Sequence, residues 1–255
     1  MNRIIKYVVL DIVKNRIVLA YTLVLATLSW SVFALEDNSS KGLLTLLNVI
    51  LLIVPLVALL FSTIYLYNSS EFVELLLSQP IRRNRIWRSL FSGLSGALLF
   101  SFLVGTGIPL FIYAPPQTAA MMVLMGSLLS CVFVAMAFFS SIFTRDKTKG
   151  IGIAILLWLF FALLFDGLLL FVSFQFADYP IEKMMVGISA FNPIDLARIL
   201  ILLDLDVSAM MGYTGAIFKD FFGNFNGMVL TIAILLTWIL LPFWISLRRF
   251  IRKDL

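Results

Sequence analysis

Asp166 is the one carboxylate set within a long apolar run, Ile151 to Phe176. An ionisable group inside a membrane segment is a functional candidate by default, as a proton relay or a contact for a transported substrate. A protease-like dyad needs a second carboxylate in another run, and none is there. Asp166 is therefore expected near the outer interface, or paired with Gln175 or a serine. The chain has no histidine, which removes the commonest general base and metal ligand and excludes an intramembrane Ser–His pair. Its one cysteine, Cys131, stands in an apolar run, so neither an internal disulfide nor a cysteine zinc site can form. It reads as a buried structural thiol. Met121, Met122, Met125, Met184, Met185, Met210 and Met211 offer thioethers that could hold Cu(I). No Met-x-x-Met array recurs, so packing is the favoured role. HExxH, GxSxG and Walker A patterns are absent. The chain is not expected to be an enzyme, and no catalytic residue, metal site or cofactor is expected in it.

The elements around these residues are those of a membrane protein. Hydrophobic residues make up 62% and charged residues 13% of the 255, against about 25% charged in a soluble domain. The formal charge of +5 does not call for nucleic acid, because membrane proteins collect Lys and Arg at one face. Six apolar runs are long enough to span a ~30 Å hydrocarbon core: Ile17–Leu35, Leu43–Tyr67, Ile86–Tyr113, Thr118–Phe143, Ile151–Phe176 and Met228–Leu247. Gly93 and Gly96 in the third are expected to allow close helix approach. Residues 1–16 place Ile4, Ile5, Val8, Val9 and Ile12 opposite Arg3, Lys6, Asp11 and Lys14, the pattern of a helix lying in the interface. A signal peptide is the competing reading of the first run, but the run is longer than a typical signal core.

Charge sets the orientation. With the N-terminus inside, all but four of the 19 Lys and Arg residues (Lys41, Lys183, Arg198 and Lys219) fall on the inner side. The positive-inside rule places both termini in the cytoplasm. Between the second and third spans, also inside, residues 68–85 combine a short helix with a basic cluster. Asn68 and Glu71 fit a capping box; Phe72, Leu75 and Leu76 fall on one face, with Glu71, Glu74 and Ser78 on the other. Pro80 ends the helix, and Arg82, Arg83, Arg85 and Arg88 come directly after it. Outside, residues 177–227 form the one long connection. Within it Asn192 caps, Pro193 takes the first helical position and Asp195 sits in the first turn, where it can pair with Arg198.

This layout resembles the ABC-2 type permeases, over essentially the whole chain as a single domain, 1–255. The segments Glu74-Leu75-Leu76-Leu77-Ser78-Gln79-Pro80-Ile81 and Phe191-Asn192-Pro193-Ile194-Asp195-Leu196-Ala197-Arg198 are similar to those of the permeases of nitrous-oxide reductase maturation. The resemblance implies an all-α bundle of six transmembrane helices in the bacterial inner membrane, with an N-terminal interfacial helix and a cytoplasmic coupling helix. It implies two partners, a second copy and a separate ATPase subunit, which holds the ATP and Mg. Glu71, Glu74, Leu75, Leu76 and Leu77 would meet the ATPase, and Arg82, Arg83 and Arg85 the anionic headgroups or acidic ATPase residues. The Thr144–Gly150 turn would make a smaller second contact. Asn192, Pro193, Asp195 and Arg198 would seat a periplasmic partner serving the reductase's copper–sulfur site. An ABC-2 exporter of a lipid, drug or glycan shares the coupling helix, and a scaffold or intramembrane enzyme without an ATPase is a further alternative.

Overall fold

The computed structural model describes residues 9–36, 39–176, 187–205 and 225–252. Six helices are long and apolar enough to cross a membrane: α1 (Arg16–Leu35), α2 (Ser39–Asn68), α4 (Arg83–Tyr113), α5 (Pro116–Phe143), α6 (Lys147–Gln175) and α8 (Phe225–Arg252). Two shorter helices, α3 (Ser70–Leu77) and α7 (Pro193–Asp204), lie between them. No strand occurs among the described residues. The six spans fall where the apolar runs predict them. Of the expected interfacial helix, residues 1–8 lie outside the described residues. Residues 9–13 are helical, Ile12 is fully buried, and the Tyr65 hydroxyl donates to Asp11 Oδ2 at 3.2 Å.

Local chemistry sets the helix starts. Asn15 Oδ1 accepts from the Ile17 N–H at 2.9 Å and separates residues 9–13 from α1. Asp146 Oδ1 accepts from the N–H groups of Thr148 and Lys149 at the start of α6, and Pro116 opens α5 with a ring already at helical φ. α5 is the most enclosed span and packs along both α2 and α8. Phe102, Phe133 and Phe138 are fully buried around it.

Close approach is seen at Gly105 and Gly126 rather than at Gly96. A Cβ on Gly96 would meet nothing within 4 Å, whereas one on Gly126 would overlap the Phe102 ring. One on Gly105 would come within 2.8 Å of the Leu25 Cβ, so α1 rests directly on α4 there. Gly105 sits in a π-helical stretch, Leu103–Gly107, and α6 contains a second, Phe160–Leu164. Each widens its helix locally and re-aims the α-helical turns on its C-terminal side. Met121, Met122 and Met125 are buried in the core, and no group of three His, Cys, Asp or Glu side chains that could hold a metal occurs among the described residues.

Candidate functional site

The basic end of the bundle is organised around α3. Val73 and Leu76 turn inward and are buried, Phe72 and Leu77 are half-buried, and Glu71, Glu74, Leu75 and Ser78 point out. Leu75 is 66% exposed and Leu76 only 8%. Leu75 therefore stands with Glu71 and Glu74, and not on one face with Phe72 and Leu76 as the spacing suggests. In a 3.6-residue helix, adjacent positions lie about 100° apart, and the side that must cover the bundle claims Val73 and Leu76. The capping box is also absent. Asn68 is the last residue of α2, Ser69 takes the cap position without a side-chain bond, and Asn68 Oδ1 instead accepts from Lys147 Nζ at 2.7 Å. α3 ends at Leu77, before Pro80, with the Ser78 hydroxyl donating to the Leu75 carbonyl.

α3 packs against α2 and α4, and the elements around it are tied to one another. The Tyr67 hydroxyl at the end of α2 donates to the Thr144 carbonyl at 3.0 Å. Its ring occupies the space a Cβ on Gly150 would fill, so the first turn of α6 closes over it. Trp87, one turn into α4, donates its indole N–H to Ser246 Oγ at 2.9 Å, and that hydroxyl donates to the Phe138 carbonyl at 3.0 Å. The Trp87 ring stacks on Phe250 with centroids 4.2 Å apart. α4, α5 and α8 are thereby tied at one level, in a buried relay whose donors are all used. A groove of about 510 Å³ separates α3 from the Thr144 turn, with Tyr67, Ser70, Val73, Glu74, Thr144 and Arg145 among its walls. Arg82 and Arg85 are exposed. Arg83 is half-buried and donates to the Ile251 carbonyl at 3.3 Å, a cation on the last turn of α8 where the helix dipole favours one.

The second predicted cluster lies at the opposite end. Asp166 stands about 19 residues, or roughly 28 Å, along α6 from Lys147. It pairs with neither Gln175 nor a serine: Arg198 Nη1 contacts Asp166 Oδ2 at 2.6 Å and Asp195 Oδ1 at 3.2 Å. Asn192 is fully buried; its Oδ1 accepts from the Ile194 N–H, as predicted for the cap. Its Nδ2 donates at 2.9 Å to the carbonyl of Phe161, inside the π turn of α6. Burial raises the Asp195 carboxyl to about 7, the neighbouring Asp166 carboxylate adds to this, and Arg198 and the Asn192 amide oppose it. Asp195 Oδ2 is buried with no donor aimed at it. Pro193, Asn192 and Asp195 are buried and Arg198 is half-buried, so these side chains anchor α7 within the bundle. Phe191, just before it, is 68% exposed.

The profile of the ABC-2 family transporter proteins matches residues 36–255. The chain belongs to this family. It is also similar to the probable ABC transporter permease protein NosY of Pseudomonas aeruginosa, 29% identical over 223 residues that cover 79% of this chain and 81% of that one. The ABC-2 assignment makes it the membrane-spanning permease of a transporter rather than its motor, in accord with a bundle that presents surfaces at both ends. The residues that sequence reasoning missed in this permease are Tyr67, Trp87, Ser246 and the Lys147–Asn68 contact. Their one signal is the placement of Trp and Tyr at span ends, where aromatic belts occur.

Proposed function

We propose that α3 is the coupling helix through which a separate ATPase subunit drives this permease, with the basic end in the cytoplasm and a second copy completing the assembly. One observation carries the reading: an exposed leucine, Leu75, stands between two exposed carboxylates, Glu71 and Glu74, on a helix whose other face is fixed to α2 and α4. An apolar residue held out on a rigid mount suits a partner's groove, with a basic rim to meet the acids. Arg82 and Arg85 would meet headgroups or acidic ATPase residues, and the Thr144–Gly150 turn would add a second contact across the groove. Movement of α3 reaches α4 and α8 through Trp87 and Ser246, and the far end through α6 and α8.

The similarity to NosY supports a role like that of the nitrous-oxide reductase maturation permeases, in which work passes to a periplasmic partner. In that reading the Asn192–Arg198 anchor holds the outer segment to α6, and Phe191 offers the contact. The test is ATPase co-purification. Leu75→Asp is expected to lose the ATPase subunit while keeping wild-type helicity and elution volume. Undiminished ATPase recovery would exclude α3 as the docking helix.

A further inference from the structure

We propose that the C-terminal ends of α5 and α8 form a binding site for the headgroup of an anionic phospholipid. A cavity of about 640 Å³ opens there, with Arg145, Arg248, Arg249 and Arg252 among its walls, beside Phe143 and Trp244. None of its lining residues is acidic, and none of the four arginines is in an ion pair among the described residues. Four guanidiniums with no ion pair among the described residues share one pocket, which makes it attractive to an anion.

Position and shape select a lipid. α5 ends at Phe143 and Arg145 comes two residues later, while Trp244 lies one turn before Arg248 on α8. Both elements thus change from apolar to basic at the same level, the pattern of a membrane–water interface. Phe143 and Trp244 are each about half exposed, an apolar wall that would meet water if a soluble anion filled the pocket and acyl chain if a lipid did. Two guanidiniums are already oriented: Arg248 lies 3.6 Å above the Trp244 ring and Arg249 lies 4.1 Å above the Phe143 ring. A guanidinium held over an aromatic face is restrained there while N–H donors remain for a phosphodiester. A second copy of this surface is a poor occupant, since it would bring like charges together. Bound here, the lipid would bridge α5 and α8 beside the Trp87–Ser246 relay. The inference stands apart from the coupling reading, because it requires no ATPase.

The test is native mass spectrometry of the full chain, purified in mixed micelles holding phosphatidylglycerol and phosphatidylcholine in equal amount. The wild type is expected to retain phosphatidylglycerol over phosphatidylcholine by roughly tenfold, given the attraction of each basic residue to an anionic surface. Arg249→Gln with Arg252→Gln should bring the two lipids near parity, and Arg249→Lys with Arg252→Lys should keep part of the preference. A single Arg145→Gln, outside any helix, gives an independent reading should the double variant fold poorly, and it should also lower the preference. Equal retention by the wild type, or full preference in all the glutamine variants, would overturn the site. Displacement of the lipid by excess inorganic phosphate would assign the pocket to a free anion. Loss of the preference on adding an ATPase subunit would assign it to protein docking.

Discussion

Leu75 and Leu76 are neighbours in the chain and opposites in space: the first is two-thirds exposed, the second almost wholly enclosed. Their substitutions should separate binding from folding. Leu76→Ala is expected to destabilise α3 by about 2–5 kcal/mol, the usual loss for a buried leucine. Leu75→Ala should stay within about 0.5 kcal/mol. Amide exchange across residues 70–77 reads the difference directly. Similar protection in both variants would mean that Leu76 is not packed inward.

The Trp87–Ser246 bond predicts a coupled pair. Ser246→Ala leaves the buried indole N–H and the Phe138 carbonyl without their shared partner, at a cost of about 1–3 kcal/mol. Trp87→Phe should cost a comparable amount, and the double substitution less than the sum, because both remove the same bond. Thermal unfolding of the four proteins in one detergent measures this. Strict additivity would place the two residues in separate environments.

At the turn before α6, Tyr67→Phe removes only the hydroxyl bond to Thr144 and should cost about 1 kcal/mol. Gly150→Ala forces the whole ring to move and should cost more, on the order of 1–3 kcal/mol. In the Tyr67→Ala background the same glycine change should become nearly neutral, since the ring it meets is gone. The melting temperatures of the wild type, the three single variants and the Tyr67→Ala, Gly150→Ala double variant check this order.

The Asp195 anchor should respond to pH. Its folded carboxyl titrates at about 7 and its unfolded one near ~3.9, so the folded state holds a proton that the unfolded state has released. Stability from this group is complete below about pH 4 and declines as pH rises through 7, by on the order of 1–4 kcal/mol. Amide exchange over residues 193–204, corrected for intrinsic rates, should show weaker protection at pH 8 than at pH 5. Asp195→Asn, permanently neutral, should flatten the change. Protection that rises with pH in the wild type would contradict a raised Asp195 carboxyl.

Periodicity and length were enough to place all six spans, because a span must satisfy its backbone internally and cover about 30 Å with apolar side chains. The Asn192–Pro193 start of α7 was equally legible, since a cap is local chemistry. Features that depend on tertiary placement were not. Asn68 has the composition of a cap, yet Lys147, 79 residues later, decides its role. Asp166 needed a cation from α7 that spacing along α6 cannot reveal. Which side of α3 faces out was misread at Leu76 because both sides carry leucine or phenylalanine, and only the neighbouring helices choose between them. The role of Gly96 escaped for the same reason: Gly96 and Gly126 look alike in sequence and differ in whether an aromatic ring lies opposite.

The central claim, that the outward face of α3 receives the ATPase subunit, is tested most directly by cysteine cross-linking in a Cys131→Ser background. Leu75→Cys and Leu76→Cys are each combined with the co-expressed ATPase and treated with a short bifunctional reagent. The account predicts a permease–ATPase product from Leu75→Cys and little or none from Leu76→Cys. No product from Leu75→Cys, with Leu76→Cys equal to it or stronger, would contradict it.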